Sequence, residues 1–136
     1  MRRFAAALLM LTLVACKPPE QKLDPDAEVI ARQFYESVRN GEDLNVDPHL
    51  AHELKNPTSE SQLALFRSMI PPEPEGSIAL QSWDSKTDSN GVTTRLTIAY
   101  GYPDRTLIAQ TALFRSPGGT APVIVGFQIS SKPLTN

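Results

Sequence analysis

Apolar and polar positions divide the 136-residue chain into four regimes. A basic start, Met1-Arg2-Arg3, leads into Phe4–Val14, which is apolar except for Thr12. Lys17 to Pro25 is polar and proline-rich, the composition of a tether. Apolar residues then recur at spacings of three and four, the period of a helix, until Pro71-Pro72. From Gly76 onward the period is two, that of a strand.

The first helix carries its own start and stop signals. Asp24-Pro25 supplies an N-cap and a first-turn proline, and Asp26 and Glu28 place negative charge where the helix dipole favours it. Ala27, Ile30, Ala31, Phe34 and Val38 form one apolar stripe, and Asn40-Gly41 ends it with Gly41 left-handed. Asp47-Pro48 repeats the start signal, and Leu50 and Leu54 predict a short helical turn over 48–54. Thr58 or Ser59 is read as the cap of a second helix, Ser59 and Gln62 having capping-box spacing. Its stripe is Leu63, Phe66, Met69 and Ile70, and Pro71-Pro72 stops it.

Four strands follow. Ile78 and Leu80 alternate, then Trp83 falls out of phase and marks a bulge. Asn90-Gly91 is a hairpin signal, and Leu96, Ile98 and Tyr100 alternate beyond it. In Tyr102-Pro103-Asp104-Arg105 the proline suits the first central position of a tight turn. Leu107–Phe114 is apolar on both faces, as in a central strand. After the loop Ser-Pro-Gly-Gly-Thr-Ala-Pro, Val123, Val125, Phe127 and Ile129 line one face of the last strand. Links this short predict an antiparallel meander, since parallel neighbours need long crossovers. The fold class is therefore α+β: two main helices covering one face of a four-stranded antiparallel sheet. The second face is only partly apolar, which fits either a curved sheet with a cleft or partial cover by helix one and the loops. Helices first and then a curved meander resembles the cystatin-like or NTF2-like architecture, over about residues 26–132. Many small bacterial lipoproteins of unassigned function share that architecture.

Composition narrows the class. With 40% apolar and 21% charged residues the chain can build a core, and its length fits one domain. A net charge of −2 gives no basic footprint, so no nucleic-acid partner is expected. One cysteine makes no internal disulfide.

That cysteine carries the most specific motif. Eleven helical residues, Phe4–Val14, span only about 16 Å, too short for a bilayer and right for the apolar region of a signal peptide. Leu13-Val14-Ala15-Cys16 then resembles the lipobox of bacterial lipoproteins. The resemblance implies cleavage between Ala15 and Cys16 by a signal peptidase of type II, and thioether- and amide-linked acyl chains (palmitate among them) on Cys16. It divides the chain into a signal peptide (1–15), a lipidated cysteine with its tether (16–25) and a single domain (26–132). Lys17, where an aspartate would signal inner-membrane retention in Gram-negative bacteria, implies the outer membrane, with the domain facing the periplasm; a Gram-positive source would place the anchor on the plasma membrane instead. Removal of residues 1–15 leaves eleven basic and fifteen acidic residues, a charge of −4. Such a domain is not drawn to anionic headgroups.

Candidate chemistry in the domain is sparse. His49-x-x-His52 followed by Glu53 has metal-pair spacing on a helix but lacks a third ligand, so no metal is expected. Tyr35, Tyr100 and Tyr102 with Asp84 and Asp104 could furnish a pocket, in which an Asp base and a Tyr donor would act on a carbonyl as in ketosteroid-isomerase-type members of the NTF2-like group. No aspartate falls at a matching motif, so no catalytic residue is assigned. Gly-x-Ser-x-Gly does not occur, and Ser116–Thr120 joins two strands and so offers no phosphate cradle at a helix start. Trp83 stands either at a binding edge or in the core. The expectation is a non-catalytic, cofactor-free envelope lipoprotein, held to the membrane through Cys16, with a protein partner in the envelope. The alternative is a small-ligand-binding or enzymatic domain using the cleft between sheet and helices.

Overall fold

The computed structural model of the chain describes residues 22–119 and 121–133. The expected signal peptide (1–15), Cys16 and the expected tether as far as residue 21 lie outside the described residues.

Helix α1, Pro25–Asn40, is built as its sequence directs. The Asp24 carboxylate accepts from the Asp26 N–H at 3.0 Å, satisfying one of the orphan donors of the first turn. Gly41 ends the helix at φ 68° and ψ 29°, and its N–H bonds to the Val38 carbonyl at 3.2 Å. The buried stripe is Ala27, Ile30, Ala31, Phe34, Tyr35 and Val38, one residue wider than the expected one because Tyr35 turns inward beside Phe34.

Residues 42–56 depart from expectation. Instead of one helical turn over 48–54 there are two 3₁₀ turns, Leu44–Val46 and His52–Leu54. Between them the backbone lies against the last strand: the Ala51 N–H donates to the Ile124 carbonyl at 2.9 Å, and the Ile124 N–H to the His49 carbonyl. Leu50 is buried there. Its spacing to Leu54 imitates a helix, but these main-chain bonds to the sheet hold the segment extended.

Helix α2, Pro57–Met69, is capped by Asn56, not by Thr58 or Ser59. The Asn56 side chain accepts from the Ser59 N–H at 2.9 Å, so Ser59 sits inside the first turn. Asn56-Pro57 repeats the logic of Asp24-Pro25: a polar cap followed by the residue whose missing N–H costs nothing at the first helical position. Ile70, with ψ 122°, is already extended ahead of Pro71. Leu63, Phe66 and Met69 are half-buried against the core, and Ile70 is buried.

The sheet is an open antiparallel meander in the order β1 (Ser77–Asp88), β2 (Gly91–Gly101), β3 (Arg105–Arg115), β4 (Val123–Pro133). The bulge announced by Trp83 lies between Leu80 and Ser82. In the first hairpin Asp88 pairs with Gly91 across Ser89-Asn90, and the Asp88 carboxylate accepts from both the Asn90 and Gly91 N–H groups. Gly91 has φ 144°, and a Cβ there would run into the Arg115 carbonyl. The second turn closes with the Tyr102 N–H on the Arg105 carbonyl at 2.9 Å.

A second register break corrects the reading of β4. Leu113 pairs with Ile124 and Ala112 with Gly126, which leaves Val125 as the extra residue. Val123 and Val125 therefore do not share a face with Phe127 and Ile129. Ile124 is fully buried, and Val125 is 40% exposed. The inward rows are Leu96, Ile98 and Tyr100 on β2, Leu107, Ala109, Thr111 and Leu113 on β3, and Ile124, Phe127 and Ile129 on β4. Both helices cover this one side: Phe127 packs edge-on to Phe34 of α1 and to Phe66 of α2, at centroid distances of 4.9 and 5.8 Å. No described helix covers the other face, where Asp84, Arg95, Thr97, Gln110 and Gln128 border a shallow hollow of about 440 Å³.

Candidate functional site

The three tyrosines singled out from sequence converge. Tyr35 stacks on Tyr100 with centroids 3.6 Å apart and planes 6° from parallel, and its hydroxyl lies 2.7 Å from that of Tyr102. Their placement follows from the fold. Tyr35 is on the inward stripe of α1, Tyr100 ends the inward row of β2, and Tyr102 opens the following turn. All three are buried, Tyr35 completely. Burial raises the pKa of each phenol, since the phenolate would lose its hydration; for Tyr35 the hydroxyl of Tyr102 adds to the effect. Tyr100 Oη and Arg32 Nε are buried without a hydrogen bond among the described residues.

The two aspartates do not join them. Asp84 is exposed on the uncovered sheet face, opposite Arg95. Asp104 is 70% exposed in the β2–β3 turn, 3.8 Å from Arg105 Nε. The tyrosine cluster thus gains no carboxylate base from the residues singled out with it.

Charged residues that sequence reading passed over flank the cluster. Arg39 Nη1 reaches Glu36 at 3.3 Å and Glu75 at 3.1 Å. Glu36 and Arg39 are legible as a surface pair one turn apart on α1. Glu75, 36 positions from Arg39, gives no signal in a Pro-rich connection. Burial raises the Glu36 pKa above its ordinary 4.5, helped by a hydrogen bond to the Glu75 carboxyl and partly offset by Arg39. A carboxyl that holds its proton more tightly folded than unfolded favours the fold at low pH, and that contribution is lost as pH rises through its folded pKa. That contribution to the urea midpoint is expected to fall as pH rises from about 4.5, and Glu36→Gln, by removing it, should change the slope of the midpoint against pH. An unchanged slope in the variant would show that the proton sits elsewhere.

His49 is half-buried with its carbonyl bound to β4, and His52 is exposed on the second 3₁₀ turn. No group of three or more His, Cys, Asp or Glu that could hold a metal ion occurs among the described residues. Trp83 is half-buried against the core, beside a hollow of about 220 Å³ that Lys22, Asp24 and Arg115 also line. Asp24 and Arg115 form an ion pair that ties the start of α1 to the end of β3.

The largest of these concavities lies elsewhere. A groove of about 590 Å³ runs between α1 and residues 42–49. Ile30, Phe34 and Leu44 supply apolar surface, and Glu42, Asp43 and Asp47 border it. Arg32, also on the groove, is engaged by Glu28 at 2.6 Å. The cleft between α2 and β4, where Leu54, Leu63, Phe66 and Phe127 meet, is only about 160 Å³. Neither concavity is lined by Tyr35, Tyr100 or Tyr102. No described helix is long and apolar enough to cross a membrane. Compared with known proteins, the chain matches no family model, no curated protein and no solved structure.

Proposed function

We propose that the chain is a lipid-anchored lipoprotein of the bacterial envelope whose small α+β domain binds a partner and does not catalyse. The observation that carries this reading is Leu13-Val14-Ala15-Cys16, placed only eight residues ahead of the Asp24 cap of the first helix. Acyl chains on Cys16 would hold the folded domain within roughly 30 Å of the bilayer, the reach of so short a chain when extended. Each buried methylene contributes about 0.8 kcal/mol, so multiple chains anchor without a spanning helix. Lys17 directs the anchor to the outer membrane, with the domain in the periplasm.

Binding is favoured over catalysis by the burial of the phenols and by what is open. The three tyrosines hold their protons and one another, and the accessible groove along α1 is apolar with a carboxylate border. A small-ligand or enzymatic reading, in the cystatin-like or NTF2-like manner, needs the cleft between sheet and helices. The hollows described between helices and sheet, about 160 Å³ between α2 and β4 and about 220 Å³ beside Trp83, fall below the roughly 300 Å³ at which ligand pockets begin.

Mass spectrometry of the protein from its own membranes is expected to find Cys16 as the first residue, bearing acyl mass. Cys16→Ser should move the protein from the membrane pellet to the soluble fraction. Retention of residues 1–15, or an unmodified Cys16 on membrane-free protein, would end the anchor reading. Turnover of a small substrate by the native protein would end the non-catalytic one.

A further inference from the structure

Strand β1 is an edge, and it is long: twelve residues, bonded among the described residues only to β2. The bulge at Gln81 and the turn at Ser89 leave an unbroken segment, residues 82–88, whose middle is Ser85. The Tyr102 N–H bonds the Arg105 carbonyl, so the even-numbered residues along β2 direct their main-chain groups at β3 and the odd-numbered ones, Gly91 among them, direct theirs at β1, where Gly91 faces Asp88. Bonding alternates along an antiparallel pair, so Lys86, Asp84 and Ser82 also direct their N–H and C=O groups at β2. Trp83, Ser85 and Thr87 therefore present theirs at the free edge. Side chains alternate as well. Asp84 and Lys86 stand on the uncovered face, opposite Arg95 and Thr93, and both are exposed.

We propose that this edge pairs with the same edge of a second copy, antiparallel and centred on Ser85, joining two four-stranded sheets into one. A two-fold axis through Ser85 sets Ser85 opposite its counterpart and Trp83 opposite Thr87, twice. These are the residues with free main-chain groups, and about six hydrogen bonds result. The same axis sets Asp84 opposite Lys86, also twice, in the close non-hydrogen-bonded positions where side chains interact most. Registers centred on Trp83 or Thr87 run into the bulge or the turn and lose pairs. A lone lysine on an edge repels a second copy and guards against such pairing. An Asp-x-Lys on an edge is complementary to itself in this register. No described helix obstructs the outer face on which these charges meet. The pairing does not depend on the anchor, though confinement to a membrane would raise the effective concentration of the partner edge.

The test is disulfide trapping of the full chain in whichever cell fraction holds it, with wild type, whose one cysteine is Cys16, as the blank. Ser85→Cys should give a dimer under mild oxidation, with peptide mapping showing residue 85 joined to residue 85, because directly opposed strand residues lie within disulfide reach. Adding Asp84→Lys or Lys86→Asp alone sets like charges opposite each other twice and should weaken association on the order of tenfold. Adding both swaps the pair and should restore the dimer, which separates lost pairing from lost folding. Absence of a residue-85 dimer, single reversals without effect, or trapping of a different protein at position 85 would each overturn self-pairing. None of these outcomes bears on the acylation of Cys16, which mass spectrometry reads independently.

Discussion

Tyr35→Ala is expected to cost about 3–5 kcal/mol of folding stability, as removal of a large buried ring does. Of a total that is about 5–15 kcal/mol for a domain of this kind, that is a large share. Three contributions act at once. The ring is fully buried, it stacks on Tyr100, and its hydroxyl bonds that of Tyr102. Truncation leaves a cavity under α1 and strands the Tyr102 hydroxyl in a buried position. The thermal midpoint should drop on the order of 15 °C. Tyr35→Phe keeps the ring and removes only the hydroxyl, so its expected cost is about 1–2 kcal/mol at neutral pH.

The conservative variant also has a pH signature. Burial raises the phenol pKa values in the fold, while unfolded tyrosines ionise near 10. Above about pH 10 the unfolded chain has released protons that the folded chain still holds, so stability falls as pH rises. Below that pH the contribution is fully present. Urea midpoints between about pH 9 and pH 11 should decline steeply for wild type and less steeply for Tyr35→Phe. Equal slopes would mean that the hydroxyl pair does not hold its protons as its burial implies.

How much of this was legible depended on whether a residue's role was fixed locally. Both ends of α1 are written in neighbouring residues, Asp24-Pro25 and Asn40-Gly41, and its stripe has the period of a helix. The meander followed from short links. The first bulge showed because Trp83, a large residue, fell out of phase. The second did not, because Val123, Val125, Phe127 and Ile129 alternate without a fault while the extra residue is itself a valine. Gly126, next to it, was the available hint, since a glycine inside a strand often marks such a break. The α2 cap was misplaced because Ser59 and Gln62 have the right spacing for a box, and only the structure shows Asn56 already occupying the Ser59 N–H. Site residues fared worse where partners are distant. Tyr35 and Tyr102 are 67 positions apart and Arg39 and Glu75 are 36 apart, so nothing local joins them. Residue type named the tyrosines as a group, but topology alone decided that they face one another and leave Asp84 and Asp104 outside.

Phe127→Ala tests that second bulge together with the joint between the layers. Its ring is half-buried, yet it touches Phe34 of α1 and Phe66 of α2, which makes it the one aromatic of β4 shared by both helices. Removing it widens the small cleft between α2 and β4, where no other β4 side chain is placed to fill the space. The expected loss is about 3 kcal/mol, near the lower end for a Phe truncation because part of the ring is already solvated. Neighbouring positions give the decisive contrast. With Val125 as the extra residue, Ile124→Ala should cost about 2–4 kcal/mol and Val125→Ser less than about 0.5 kcal/mol. An unbroken alternation from Val123 to Ile129 demands the reverse order, because it turns Val125 inward and Ile124 outward. Chemical denaturation of the three variants therefore reads the register of β4 directly. A severe Val125→Ser beside a mild Ile124→Ala would return Val125 to the core and remove the bulge.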